Sequence, residues 1–303
     1  MQDPIITRHF MFALRICLFW LMLSISLTVT SSSNPSPISV GGSLESLPGS
    51  SVTDAEIAFK LVFNEMLSET NETFTVKIYE NNETLVQKLQ SGEVQTIFIN
   101  SLQYLQLNKL LHPTARYVVQ HGPSLKQRYL VLVRSSDAGK SLSDLQGRKL
   151  SFGAGHLVGK RFLDVKLLEQ GLPVSKDFFS EIEMVREVNT SVIDLFFGNA
   201  DVALVPDFSY ELALELNPTM GNSLSVIMES EPMIYQAVGM RYDFPQERLD
   251  RIEPKILSKE YSARVRRFLE TFRITHLYRL NDDMLKEVRE LNDKYMALTG
   301  HKP

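Results

Sequence analysis

The spacing of apolar and polar positions changes period repeatedly along the chain. ISVGG (38–42) reads as a strand, and TDAEIAFKLVFNEMLSE (53–69) then carries Ala55, Ala58, Phe59, Val62, Phe63, Met66 and Leu67 at the three- and four-residue intervals of a helix face. Thr53 and Glu56 stand at the spacing of a capping box for that helix. FTVKIYE (74–80) returns to alternation, ETLVQKLQSG (83–92) reads as a short helix closed by glycine, and TIFIN (96–100) is a fully apolar run leading into SLQYLQLNKLL. Strands and helices in strict turn predict a parallel sheet with right-handed crossovers.

Two β-rich passages follow, ARYVVQH (115–121) and RYLVLVR (128–134), and then the alternation restarts. KLSFG (149–153), a helix over 160–170, IEMVREV (182–188), a helix over TSVIDLFFGN (190–199), DVALVP (201–206) and a helix over FSYELALEL (208–216) form a second α/β set. LSVIMESE (224–231) and QAVGMR (236–241) read as another β pair, and the tail from Pro245 onward reads as helical. The fold class expected is α/β in two lobes, each a mixed, mainly parallel sheet flanked by helices. The lobes are joined by two crossing segments, near 120–130 and 225–240. Residues 34–125 and 235–303 make the first lobe, and 126–234 the second.

The first thirty-three residues stand apart. Arg8, His9 and Arg15 precede the apolar ICLFWLMLSISLTVT (16–30), and SSSNPSPIS then turns abruptly polar, the layout of a signal peptide with the start of a linker. The apolar run is shorter than the ~20 residues that span a bilayer, which favours cleavage over a permanent anchor, although the cleavage site lacks a clean small-x-small triplet. Met11 offers an alternative start directly before it. Cys17 and Trp20, the single cysteine and single tryptophan, both fall inside this segment, so the exported chain is expected to contain no thiol, no disulfide and no cysteine metal ligand. A formal net charge of -4 with no basic stripe argues against nucleic acid as a partner.

The glycine-rich KLSFGAGHLVGKRFL (149–163) holds the most pointed candidate chemistry. It fails the Walker spacing, because Ala154 stands where the first glycine belongs and Arg161 follows Lys160. It also fails the dinucleotide fingerprint, because Gly153, Gly155 and Gly159 are one residue too far apart. What remains is a strand end, a flexible turn and a helix start with free backbone N–H donors, which is an anion-binding geometry, or else a packing turn with two solvated cations. Asp207 lies just past a strand's carboxyl end, where open α/β sheets place ligand contacts, or caps the following helix. Gly42 and Ser43 end the first strand, and Ser101 and Tyr104 follow the third. The histidines show no metal spacing, and no catalytic carboxylate pair or nucleophile elbow is present, so neither a catalytic residue nor a cofactor is expected.

VGGSLE, VQTIFINSLQYLQL, DLQGRKLSFGAG, FFGNADVALVPD and MESEPMIYQAVGMRYDFPQERLDRI occur in the order seen in the phosphate, phosphite and phosphonate-binding proteins of ABC transporters, and over roughly residues 36–290 the chain resembles that family. The resemblance implies a type II periplasmic binding protein fold. It also implies a tyrosine ligand matched by Tyr104 and an acid matched by Asp207. The family's Ser/Thr-rich loop falls on GAGHLVGK, which has no hydroxyl. Its histidine falls near Val188 or Asn189, and its return-crossing aspartate near Gln236.

The expected function is a monomeric, exported, periplasmic solute-binding component that is not an enzyme. It closes two lobes over a small solute, with a phosphorus oxyanion favoured, and serves an ABC permease in the inner membrane. The expected ligand contacts are Gly42, Ser43, Ser101 and Tyr104 from the first lobe, and Gly155, His156, Val158, Gly159, Lys160 and Asp207 from the second. The alternatives are a sensor signalling to a membrane partner and a transferase on the same fold.

Overall fold

The computed structural model describes residues 36–45 and 51–300; the signal segment lies outside the described residues. Among the described residues eleven strands form two sheets. The first contains β1 (Ile38–Ser43), β2 (Phe74–Tyr79), β3 (Thr96–Asn100), β4 (Leu111–His121), β10 (Gln236–Arg241) and β11 (Ile274–Arg279), in the order β11-β4-β10-β3-β1-β2. The second contains β5 (Tyr129–Arg134), β6 (Lys149–Gly153), β7 (Glu181–Val185), β8 (Val202–Pro206) and β9 (Leu224–Glu229), in the order β7-β6-β8-β5-β9.

Direction within each sheet follows from how each strand arrives. β1 pairs in parallel with β2 and β3, and β6 with β7 and β8, because helices return the chain across the sheet face. β10 enters the first sheet from the other lobe and runs antiparallel to β3 and β4; β5 enters the second in the same manner and runs antiparallel to β8 and β9. The resulting sheets are mixed, with their parallel pairs gathered on one side.

The longer helices are α1 (Val52–Met66), α2 (Asn82–Ser91), α3 (Ser101–Gln106), α4 (Leu157–Glu169), α5 (Val188–Phe197), α6 (Asp207–Leu216), α7 (Gln246–Ile256), α8 (Ala263–Thr271) and α9 (Lys286–Thr299). The capping box expected at Thr53 is not the one formed. Ser51 caps α1 by accepting from the Asp54 N–H at 3.1 Å, and Glu56 instead accepts from the Ile78 N–H of β2 at 2.8 Å, tying helix to strand. Asn81 caps α2, and Gly92 closes it with φ 81.

Two further features depart from the sequence reading. The tail is not wholly helical: RITHLYR supplies β11, an edge strand antiparallel to β4. The last helix, placed with the first lobe by sequence, lies against α4 of the second lobe and α3 of the first. Val288, Leu291 and Leu102 join the same apolar cluster as Tyr129, Phe152, Val158 and Phe162. Lys126 pairs with Glu287 at 2.6 Å, Lys294 pairs with Glu169, and the Arg161 guanidinium sits 3.7 Å from the Tyr295 ring centroid.

Candidate functional site: the gap between the lobes

The two crossing segments are bound to each other before they reach their sheets. Gln127 and Met233 exchange both backbone hydrogen bonds at 2.8 Å. The Ser230 hydroxyl accepts from the Tyr129 N–H at 2.9 Å while the Ser230 N–H donates to the Tyr129 carbonyl, also at 2.9 Å. Asp207 completes the clamp: its Oδ2 accepts from the Arg128 N–H at 3.1 Å and its Oδ1 from the Phe208 N–H at 2.9 Å. Both oxygens of this carboxylate, an expected ligand contact, thus accept from backbone N–H groups where the two crossing segments meet.

Beside this pairing four rings converge. Tyr129 begins β5, His121 ends β4, Tyr235 precedes β10, and His156 stands at the N-cap of α4 without making a side-chain cap. His156 stacks on Tyr235 with centroids 4.6 Å apart and planes 14° apart, and His121 meets Tyr235 edge-on at 5.1 Å. The Tyr129 hydroxyl stands 3.5 Å from His156 Nδ1. Tyr235 is fixed to the first lobe, since its carbonyl accepts from the Ser101 N–H at 3.0 Å and the Ser101 hydroxyl donates to the Ile234 carbonyl at 2.6 Å. Ser101 thus acts through the crossing segment, and the His156–Tyr235 contact joins the lobes.

Gly155 shows how close that approach is. A Cβ there would lie 2.5 Å from the Tyr235 hydroxyl and 3.1 Å from the Glu45 carbonyl, both across the gap. Gly159 is required for a different reason: its Cβ would lie 2.3 Å from Cδ1 of the fully buried Tyr129, inside the second lobe. Val158 is fully buried in the same cluster.

Burial sets the electrostatics. It holds His121 at a pKa of about 4 and His156 at about 3, the latter with a contribution from neighbouring His121, so both imidazoles are neutral at neutral pH. It pushes the Tyr129 and Tyr235 phenols well above their ordinary range, so both remain protonated. The Tyr235 hydroxyl is buried without a hydrogen-bond partner, while the His121 ring faces the Gln236 side chain and the Phe272 backbone. The cations of the glycine-rich turn are engaged elsewhere: Lys160 pairs with Asp164 at 2.9 Å, one helical turn on, and Arg161 lies on Tyr295.

The first-lobe candidates are dispersed. Gly42 and Ser43 are buried at the end of β1, and the Ser43 hydroxyl donates to Asn82 Oδ1 at 2.5 Å. Tyr104 is packed in the first-lobe core with Leu85, Ile97 and Leu107, its phenol pushed up to about 12 by burial and turned towards Arg116. Of the ten expected contacts, Gly155 and His156 meet the opposite lobe directly, while Gly159 and Val158 pack the helix beneath them. His121, Tyr129 and Tyr235 were not among the expected residues; all three stand at the ends of the β-rich crossings, and Tyr235 lies within the MESEPMIYQAVGMRYDFPQERLDRI run. Among the described residues no group of three or more His, Cys, Asp or Glu is placed to hold a metal, and no helix is long and apolar enough to cross a membrane.

Similar arrangements of two lobes are found in solved structures. XAC2383 from Xanthomonas citri bound to ATP is 15% identical, with 88% of this chain and 100% of that chain covered at a TM-score of 0.67. PhnD1 from Prochlorococcus marinus in complex with methylphosphonate is also 15% identical, covering 86% and 98% at 0.63. A binding protein component of an ABC phosphonate transporter from Pseudomonas aeruginosa, PA3383, is 13% identical, covering 87% and 88% at 0.63. No curated protein matches the chain. These similarities establish the type II periplasmic binding protein fold, and the family relationship comes from the sequence itself. Residues 46–285, which hold both crossing segments and the turn before α4, match the family described as "ABC transporter, phosphonate, periplasmic substrate-binding protein", and with most of the chain inside that match the protein belongs to this family of transporter substrate-binding components.

Proposed function

We propose that the protein binds a small solute in the gap between its lobes, closing about the paired crossing segments, and passes it to an ABC permease in the inner membrane without altering it chemically. Export by the N-terminal signal and a monomeric state complete this reading. The observation that carries it is the convergence of the first turn of α4, where backbone N–H groups face the gap end of the helix, with the unpartnered Tyr235 hydroxyl. Such a helix start can receive one oxyanion group, as in a singly charged phosphorus oxyanion. It supplies neither the hydroxyls of a Ser/Thr loop nor a side-chain cation, since Lys160 is held by Asp164.

Closure follows differential affinity: a solute shifts the lobes together only as far as it contacts both better in the closed state. The test is calorimetric titration of the purified protein with methylphosphonate, phosphate and sulfate, followed by small-angle scattering of the saturated protein. Binding accompanied by a more compact scattering profile is the expected result. Binding without compaction refutes hinge closure, and chemical conversion of a bound solute refutes the non-enzymatic reading.

A further inference from the structure

We propose that the gap is shaped for a flat heteroaromatic ring, of nucleobase size and uncharged or bearing one anionic substituent, that enters between His156 and Tyr235. The inference rests on the solute-binding reading above and names the class of solute. His156 belongs to the second lobe, and Tyr235 is fixed to the first through Ser101. Their rings lie 14° from parallel at 4.6 Å. A parallel stack formed between two bodies that move apart on a hinge can admit a third ring by simple widening. Two contact layers need about 7 Å between the outer rings, so the closed, ring-bound state stands wider than the direct His156–Tyr235 contact by roughly the thickness of one ring.

The rim of this stack favours a ring with hydrogen-bonding edges over a hydrocarbon. The Tyr235 hydroxyl points at the Gly155 backbone without a partner, and the His121 ring, which faces the Gln236 side chain, meets Tyr235 edge-on. The Tyr129 hydroxyl stands by His156 Nδ1. A heterocycle carrying both donors and acceptors satisfies such buried groups, which an apolar ring leaves unpaired.

Charge narrows the class further. The converging side chains are two imidazoles and two phenols, and the nearby cations are held by Asp164 and Tyr295. A dianion in this gap would be buried among uncharged side chains. A single anionic substituent can rest on the first turn of α4, where the helix dipole compensates it.

The experiment titrates the purified protein calorimetrically with adenine, nicotinamide and nicotinate, beside methylphosphonate and inorganic phosphate. It is repeated on Tyr235→Leu, Tyr235→Phe and His156→Phe. At least one heterocycle is expected to bind. Losing the ring in Tyr235→Leu should weaken that binding about tenfold or more, while both ring-retaining variants stay within a few-fold of the parent. If Tyr235→Leu does not fold, His156→Leu removes the opposite face of the stack and tests the same contact. Heterocycle binding unchanged by the leucine variant overturns the inference. Binding of methylphosphonate or phosphate alone also overturns it while leaving the solute-binding reading intact. Failure of every probe overturns both.

Discussion

Replacing Gly155 by alanine should open the protein without unfolding it. The added Cβ would stand 2.5 Å from the Tyr235 hydroxyl and 3.1 Å from the Glu45 carbonyl, and the third nearest atom, at 3.7 Å, is again in Tyr235. All three belong to the opposite side of the gap, so the clash exists only while the lobes are together. Tyr235 cannot easily yield, because its backbone is held by Ser101 and its ring is sandwiched by His156 and His121. Relief therefore requires the lobes to part by about 1 Å, and overpacking of this kind costs about 1–3 kcal/mol. That shifts the ratio of the directly stacked to the parted arrangement by about 5- to 150-fold. Small-angle scattering should report a larger radius of gyration for Gly155→Ala. Hydrogen exchange should quicken around residues 153–158 while the amides of β5 and β8 keep their protection. An unchanged radius, or loss of protection spread through the second-lobe strands, would refute the claim that this glycine serves closure.

Two other outcomes follow from the same geometry. Gly159→Ala places its Cβ 2.3 Å from Tyr129 within one lobe, so it should lower the urea midpoint by the equivalent of about 1–3 kcal/mol and expose β5 to exchange; a wild-type denaturation curve would refute this. The buried imidazoles predict acid opening. Both have folded pKa values held below the ordinary 6.5, at about 4 for His121 and about 3 for His156, so their contribution is complete above pH 6.5 and is lost as pH falls through that value towards 4 and then 3. Each imidazole should cost about 2 kcal/mol of closed-state stability between pH 7 and pH 5, and the phenols of Tyr129 and Tyr235 stay protonated throughout. Asp207, also near Tyr129, is bound to backbone at the hinge. His156→Phe should remove about half of this pH dependence in scattering or thermal unfolding, and an unaltered profile would refute the assignment.

The sequence revealed most of the architecture because its signals are local. The helix stripe from Ala55 to Leu67, the apolar run TIFIN and the glycine after QKLQS each specify an element within one window. β11 was missed because RITHLYR is a short segment between helical patterns and becomes a strand only through pairing with β4, distant in the chain. The N-cap of α1 moved from Thr53 to Ser51 because Glu56, the other half of the expected box, found a better use on β2. Gly155 and His156, which approach the opposite lobe, lie in a glycine turn at a strand end that the sequence pattern could locate. Tyr235, inside the MESEPMIYQAVGMRYDFPQERLDRI run, and His121 showed no local sign of meeting, since the pairing of Gln127 with Met233 brings their segments together. Tyr104 and Asp207 occupied the expected places in the chain order, but the side chain of one entered the core and that of the other took up backbone donors.

The last helix also determines when the protein can finish folding. Residues 126–234 contain every strand of the second sheet, yet the face of α4 that carries Arg161 and Phe162 is covered by a segment lying at the far end of the chain. The first sheet is likewise incomplete until β10 and β11 have emerged. Neither lobe can therefore mature during synthesis as an independent N-terminal unit, and the decisive contacts have high sequence separation, which slows folding. A chain truncated before Lys286 should therefore leave that apolar face of α4 uncovered and both lobes short of their full set of contacts.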